Sequence, residues 1–276
     1  MSGPQFPPGA CDTHMHIYDS RYPVAASSLL RPPDATVGDY RQVQAALGLQ
    51  RVVVVQPSTY GFDNSCTLDA VAEIGDHARA VVVIDDQLPE HELEHLTRLG
   101  ARGARFHMLP GGAVPWDIMH TVAGRIASHG WHIQLQMNGR DLGDRFDALV
   151  GLPTPLVIDH VGRYMPPVEP DDERFVVLLR LLETGRCWVK LSAPYESAPD
   201  PTHEYAAVTR LVRTLVERFP DRTLWATNWP HPGQSDPPSL EGFRQLCFDW
   251  LPDDAARRRI LVDNPAALYG FPSSCH

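Results

Sequence analysis

The chain has 276 residues, of which 43% are hydrophobic and 21% are charged, and its formal net charge is −10 with neutral histidines. These proportions are typical of a soluble globular protein with a sizeable core. The negative charge argues against nucleic acid or an anionic membrane as a partner. It does not argue against a small anionic substrate, because a pocket can be basic on an acidic protein.

The cysteines and the N-terminus bear on the compartment. The five cysteines are dispersed and include no CxxC pair: Cys11, Cys66, Cys187, Cys247 and Cys275. This pattern predicts reduced thiols rather than a disulfide framework. The N-terminal residues have no basic segment and no apolar segment, and no run of 18 apolar residues occurs anywhere. The sequence therefore predicts no signal peptide, no membrane span and a cytoplasmic location.

Short runs rich in β-branched residues alternate with longer amphipathic stretches. Strands are predicted at 11–18, 51–57, 78–85, 103–108, 132–137, 155–160, 187–192 and 223–229. Helices are predicted at 37–48, 64–75, 90–100, 117–130, 142–152, 172–185, 204–219 and 240–252, with a closing helix at 253–271.

Eight strand–helix units in this length predict an α/β fold, a (β/α)8 TIM barrel. We expect one domain at 11–272, with tails at 1–10 and 273–276. A doubly wound sheet is disfavoured, because no strand is followed by GxGxxG or GxxxxGK[ST].

The C-terminal ends of barrel strands carry the active site in this fold, so the polar residues there are the candidates. His14 and His16 point to the same face of the first strand, because alternate strand residues share a face. A third histidine, His160, and Asn228 follow strands six and eight. Polar groups gathered in one buried place are costly without a function or partners. Arg105 on strand four is expected either to pair with a core acid or to clamp a substrate carboxylate.

Several segments in this order resemble the amidohydrolase superfamily: DTHMHIYD, GARFHM, DHVGR, WATNWPHP and LVDNPAALYGF. The chain is most similar to the group of 2-pyrone-4,6-dicarboxylate lactonases, sugar-acid lactonases, muconolactone-type hydrolases and a D-galactarolactone isomerase. The resemblance implies that His14, His16 and His160 donate hydrogen bonds to the lactone carbonyl and that Arg105 binds a substrate carboxylate. It also implies a general base on strand eight, where the group has an aspartate and this chain has Asn228.

The remaining polar residues near the strand ends are expected to bind a small anionic lactone. They are Gln56, Tyr60, Gln136, Asn138, Arg163, Tyr195, Glu196 and His231. The 2-pyrone-4,6-dicarboxylate lactonases have two further arginines that this chain lacks, which disfavours a planar dicarboxylate as substrate. A hydroxylated or sulfonated lactone suits the amide, phenol and carboxylate groups of this chain better.

Asn228 leaves three interpretations open. The first is a hydrolase that opens a carboxylated sugar-acid or muconolactone-type lactone, with its base replaced by engineering. The second is an aldarolactone-type isomerase in which Asn228 is natural and another group is the base. The third is a lactone- or carboxylate-binding protein that has lost catalysis. A positioned general base contributes roughly 10²–10⁴-fold to such reactions, so hydrolysis is expected to be slow.

Many members of the superfamily bind zinc through the HxH pair, a further histidine and the strand-eight aspartate. This chain has no lysine on strand four, and an asparagine is a poor zinc ligand. The sequence therefore favours no metal and no other cofactor. If a divalent ion such as Zn²⁺ is bound, the expected ligands are His14, His16 and His160.

Overall fold

The computed structural model describes residues 5–198 and 205–272. The tail residues 1–4 and 273–276 and part of the loop after the seventh strand lie outside this range. Eight parallel strands are paired in chain order, which confirms the predicted TIM barrel. The strands are β1 Cys11–Met15, β2 Arg51–Val55, β3 Ala78–Val82, β4 Ala101–His107, β5 His132–Gln136, β6 Leu156–Ile158, β7 Cys187–Leu191 and β8 Thr223–Trp225.

Helices cover the outside of the barrel: α1 Val37–Leu47, α2 Ser65–Ile74, α3 Glu90–Arg98, α4 Met119–Ile126, α5 Phe146–Val150, α6 Glu173–Glu183, α7 Ala206–Arg218, α8 Leu240–Trp250, α9 Asp254–Arg258 and α10 Asn264–Tyr269. On α7 the buried residues follow the helical period: Val208, Leu211, Val212 and Leu215. The closing helix predicted at 253–271 is two helices joined by a π-helical turn at Arg259–Asp263.

The barrel strands are apolar on both faces, as their near-continuous valine runs predicted. On β2, Val53 and Val55 belong to the cluster inside the barrel, whereas Val52 and Val54 belong to the larger core beneath the helices. Tyr269, the last residue of α10, belongs to the inner cluster as well. The lower part of the barrel is therefore filled with apolar side chains.

The seam between β8 and β1 positions the candidate site. The Asp12 carboxylate accepts hydrogen bonds from the backbone N–H (3.0 Å) and the hydroxyl (2.5 Å) of Thr227. The backbone N–H of Asn228 donates to the His14 carbonyl oxygen (2.9 Å). Asn228 takes a φ of 59° there, in the left-handed region that asparagine tolerates. Both strands are shorter than the predicted 11–18 and 223–229. The backbone of Asn228 is hydrogen-bonded to the backbone of His14.

The described part of the predicted N-terminal tail is packed on the barrel. Phe6 is buried, with ring centroids 5.1 Å from Trp225 and 5.8 Å from Phe248. The four cysteines within the described residues are free, as predicted. No helix in the described ranges is long and apolar enough to cross a membrane.

Candidate functional site

A polar cavity opens at the C-terminal ends of the strands. Its lining includes six of the predicted site residues: His16, Arg105, Gln136, His160, Glu196 and Asn228. The rest of the lining comes from loops and from β4: Tyr18, Leu29, Leu30, Pro57, Ser58, His107, Pro110 and Pro232. His14 contacts the cavity residue His16, so the strand-one pair is brought together as the sequence indicated.

One hydrogen bond of His16 determines which of its ring nitrogens carries the proton. His16 Nδ1 lies 2.8 Å from the Val55 carbonyl oxygen, which can only accept, so this nitrogen carries the proton. Burial holds the pKa of His16 well below its ordinary value, so the ring is neutral and its Nε2 is a hydrogen-bond acceptor. In this tautomer the ring proton points to Val55 rather than to the cavity, and the expected role of His16 as an oxyanion donor stays a prediction. His16 Nε2 can instead accept a proton, and it lies 3.2 Å from His14 Nε2.

A buried charged cluster beneath the cavity was not predicted from the sequence. Asp159 Oδ1 lies 3.3 Å from His14 Nδ1 and 3.6 Å from Lys190 Nζ. Gln134 donates to Asp159 Oδ2 (3.1 Å) and accepts from Lys190 (2.6 Å). Burial would raise the pKa of Asp159, but His14 and Lys190 hold it well below its usual range. Burial lowers the pKa of His14 despite the neighbouring carboxylate. Two features of the sequence could have indicated this cluster. One is the i, i+2 pair of glutamines in HIQLQM, and the other is the lysine within the apolar strand CWVKLS.

His160 follows β6 with a φ of 54°, so its backbone is in the left-handed region that is uncommon for residues other than glycine. Its Nδ1 lies 2.9 Å from Ser192 Oγ, and its ring centroid is 4.8 Å from that of His14. Burial lowers the pKa of His160 as well. When Ser192 donates to Nδ1, the proton of the neutral ring is on Nε2, which then is a hydrogen-bond donor.

Arg105 brings a buried positive charge to the cavity. Its Nη1 donates to the Gln56 carbonyl oxygen (2.7 Å) and its Nη2 to Gln136 Oε1 (2.8 Å), both neutral acceptors. Its Nε is buried without a hydrogen-bond partner in the described part of the chain. Gln136 Oε1 also lies 3.0 Å from His107 Nδ1. An arginine with neutral partners and an unused donor is suited to bind an anion.

Asn228 is held by two other predicted residues. Its Nδ2 donates to Tyr195 Oη (3.0 Å), which lies 3.0 Å from His231 Nδ1. The His231 ring is stacked on Phe243 with centroids 4.8 Å apart, and burial lowers its pKa to about 4. Asn228 Oδ1 is buried without a partner among the described residues. This amide therefore has an unused acceptor, but it cannot take up a proton.

Four predicted substrate-binding residues have contacts that stabilise loops. The Gln56 amide donates to Gly61 and Asp63 carbonyl oxygens. Tyr60 Oη binds the backbone of Asp19.

The other two lie after β5 and β6. Asn138 binds the backbone of Met165, and Arg163 Nε donates to Glu196 Oε2 at 2.9 Å. None of these four lines the cavity. Their role in substrate binding stays a prediction, while Arg163 neutralises the cavity residue Glu196.

Two overlapping groups of side chains near the cavity bear on the question of a divalent ion. The Nε2 atoms of His14 and His16 are 3.2 Å apart, a separation that two ligands of one tetrahedral zinc ion can have. His14, Asp159 and His160 also offer ligand atoms within 4.8 Å of one another. Asp159, however, already interacts with Lys190, and Asn228 supplies no charge. The expected ligand set of His14, His16 and His160 therefore stays a prediction.

The Amidohydrolase family model matches residues 11–271. The chain is 38% identical over 271 residues to the D-galactarolactone isomerase of Agrobacterium fabrum, covering 96% of this chain and 92% of the relative. It is 35% identical to the 2-pyrone-4,6-dicarboxylate hydrolase of Comamonas testosteroni, covering 97% and 93%. A crystal structure from Agrobacterium tumefaciens superposes with a TM-score of 0.92 at 37% identity, covering 98% of each chain. The chain therefore belongs to the amidohydrolase family of enzymes.

Proposed function

We propose that the chain converts a small lactone that bears a free carboxylate and a free hydroxyl, and that it moves the ester bond from one hydroxyl to another. The observation that carries this proposal is Asn228, which lines the cavity with His16 and His160 and donates its backbone N–H to the His14 carbonyl oxygen. The family resemblance implies a general base at this residue. An amide can orient a hydroxyl or a water molecule, but it cannot deprotonate either. A substrate hydroxyl already held next to the carbonyl needs less activation than a free water molecule.

Arg105 is the proposed partner of the substrate carboxylate. Its unused Nε and its neutral neighbours leave a buried positive charge that a carboxylate would neutralise. Among the described residues that line the cavity, Glu196 is the one carboxylate, and its bond to Arg163 limits its repulsion of an anion. The cavity thus suits a ligand with a single negative charge near Arg105.

The proposed reaction is an intramolecular acyl transfer. The oxygen of the free hydroxyl forms a bond to the lactone carbonyl carbon, and its proton passes to His16 Nε2. His160 Nε2–H donates to the developing oxyanion. The bond between the carbonyl carbon and the original ring oxygen then breaks, and this oxygen receives the proton. No water is consumed, and His16 ends neutral as it began.

Hydrolysis is the second candidate, because the same lone pair of His16 could accept a proton from water. The 35% identity to the 2-pyrone-4,6-dicarboxylate hydrolase supports it, since that substrate has no free hydroxyl. The isomerase of Agrobacterium fabrum supports the first candidate at 38% identity. A water molecule would add its oxygen to the carbonyl carbon, and the product would be an open hydroxy acid.

We also propose that no metal is essential. A divalent ion on His14, His16 and His160 would polarise the carbonyl, but Lys190 and Arg105 already supply buried positive charge around the site. We expect the activity to survive dialysis against a strong zinc chelator. Loss of activity that returns on adding Zn²⁺ would contradict this part of the proposal.

The experiment that tests the reaction compares D-galactarolactone with the pyrone dicarboxylate. Proton NMR detects a new lactone, and a pH-stat detects the acid that hydrolysis releases. We expect a new lactone from the first substrate, without acid release, and no turnover of the second. Acid release from both would establish hydrolysis. No turnover by either this chain or its Asn228→Asp variant, with tight lactone binding, would favour the binding-protein interpretation.

A further inference from the structure

We infer that Leu29 and Leu30 form a water-excluding cover over the cavity and thereby favour ring transfer over hydrolysis. This inference rests on the proposed function, because it concerns the choice between two acceptors of the same acyl group. The two leucines are 68% and 41% exposed, yet both line a cavity whose other walls are largely polar. Large apolar side chains at the mouth of a polar site are not explained by packing of the core.

The cover segment is anchored at one side of the mouth. The Leu30 carbonyl oxygen accepts hydrogen bonds from Ser28 Oγ (2.7 Å) and from Thr59 Oγ1 (3.2 Å). The Ala25 amide donates to the Thr59 carbonyl oxygen at 2.8 Å. Thr59 lies just after β2, so the segment is attached to a barrel loop rather than free in solvent.

The leucine side chains reach across to two other loops. A Cβ built on Gly111, after β4, would lie 3.3 Å from Leu29 Cγ. A Cβ built on Gly233, after β8, would lie 4.0 Å from Leu30 Cδ2. Both residues have positive φ angles, 91° and 79°, which favour glycine, and the missing side chain leaves room for the neighbouring leucine. The segment therefore spans the mouth from the β2 side to the β4 and β8 sides.

Water exclusion changes the outcome of this chemistry. In an open site, water competes with the substrate hydroxyl for the polarised carbonyl carbon. When water attacks, its oxygen bonds to this carbon, the ring carbon–oxygen bond breaks, and one proton goes to the departing oxygen. An apolar cover lowers the occupancy of water near the carbonyl and leaves the tethered hydroxyl as the nucleophile. The leucine side chains take no part in the proposed proton transfer itself.

The test is the ratio of open acid to new lactone, measured by proton NMR on D-galactarolactone. The variant is the double substitution Leu29→Ser and Leu30→Ser, and the control is Leu99→Ser, an exposed leucine beyond the end of α3. The ratio is expected to rise by about tenfold or more in the double variant, a change of about 1.4 kcal/mol in relative barrier, and to stay unchanged in the control. Because both products come from the same folded molecules, partial unfolding does not alter the ratio.

Restoring apolar side chains provides a second variant. The change of both leucines to methionine is expected to keep the ratio of the unaltered enzyme. An unchanged ratio in the serine variant, or an equal rise in the Leu99 control, would overturn this inference and leave the proposed function intact. Failure of the unaltered enzyme to form any new lactone would overturn the proposed function and the inference with it.

Discussion

Lys190 and Asp159 form an ion pair inside the barrel, with Nζ 3.6 Å from Oδ1 and both side chains fully buried. The pair lies directly beneath the histidines, because Asp159 also contacts His14 Nδ1 at 3.3 Å. Burial lowers the pKa of Lys190 to about 8, and Asp159 opposes this shift. Asp159 is thus the main compensation for the buried charge of Lys190, and Lys190 joins His14 in lowering the pKa of Asp159.

Replacing Lys190 with methionine is expected to destabilise the protein by about 3–5 kcal/mol, since it leaves a buried carboxylate without its partner. Adding Asp159→Asn to this variant removes the uncompensated charge and should restore part of the loss. The measurement is the free energy of unfolding in urea. The exposed pair of Arg41 and Glu73 provides the control, and Arg41→Met should cost at most about 1 kcal/mol. A double variant no more stable than Lys190→Met would contradict the pairing.

His132 makes the stability depend on pH. Both its ring nitrogens are buried without partners in the described residues, and burial lowers its pKa from 6.5 to about 3. The unfolded chain binds a proton below pH 6.5 while the folded chain does not, so stability is full above this pH and is lost as the pH falls. The loss is about 1.4 kcal/mol per pH unit for this one group.

The variant His132→Leu should remove this contribution. Between pH 7 and pH 5, its free energy of unfolding is expected to fall by about 2 kcal/mol less than that of the unaltered protein. The exposed His95 on α3 is the matched control, and His95→Leu should keep the original pH dependence. Equal pH dependence in the His132 variant and the unaltered protein would refute the assignment of His132 as a neutral buried group.

Arg105→Gln tests the proposed carboxylate clamp. We expect kcat/KM for a carboxylated lactone to fall about 10- to 100-fold, the effect of losing a charge-assisted hydrogen bond. The methyl ester of the same lactone has no charge to lose and should be nearly unaffected. Arg140→Gln is the control, because Arg140 follows the neighbouring strand β5 and its guanidinium donates to the Pro166 carbonyl oxygen. An equal loss on acid and ester would show that Arg105 is needed only for the shape of the site.

Asn228→Asp tests the role of the amide. A carboxylate here gains a basic oxygen, and Tyr195 can donate to it, so water becomes a usable nucleophile. The rate of hydrolysis, measured as acid release in a pH-stat, is expected to rise by roughly 10²–10⁴-fold. The variant Asn228→Ala has neither the amide nor a base and should show no such gain. If the aspartate variant hydrolyses no faster than the alanine variant, position 228 is not a position for proton transfer.

The fold was predictable because alternating apolar runs and helical periods are local features of the sequence. The lengths of β1 and β8 could not be predicted in the same way. They depend on the contact between Asp12 and Thr227, which are far apart in the chain. Polar residues at strand ends could be identified, but their partners could not. The Gln56 amide binds its own loop, whereas Gln136 meets Arg105.

The buried Lys190 shows the same limit. It was visible in the sequence as a polar residue on a strand, but its partners come from β5 and from the residue after β6. Such a cluster is defined only when the barrel closes. The same holds for Leu29 and Leu30, whose position over the cavity depends on loops after three other strands.

The central claim is that the reaction transfers the acyl group within the substrate and consumes no water. The most direct measurement is the mass spectrum of the products formed from D-galactarolactone in water enriched in oxygen-18. The account predicts a new lactone that carries no label. An open acid with oxygen-18 in its carboxylate as the main product, formed by the unaltered chain faster than the background reaction, would contradict it.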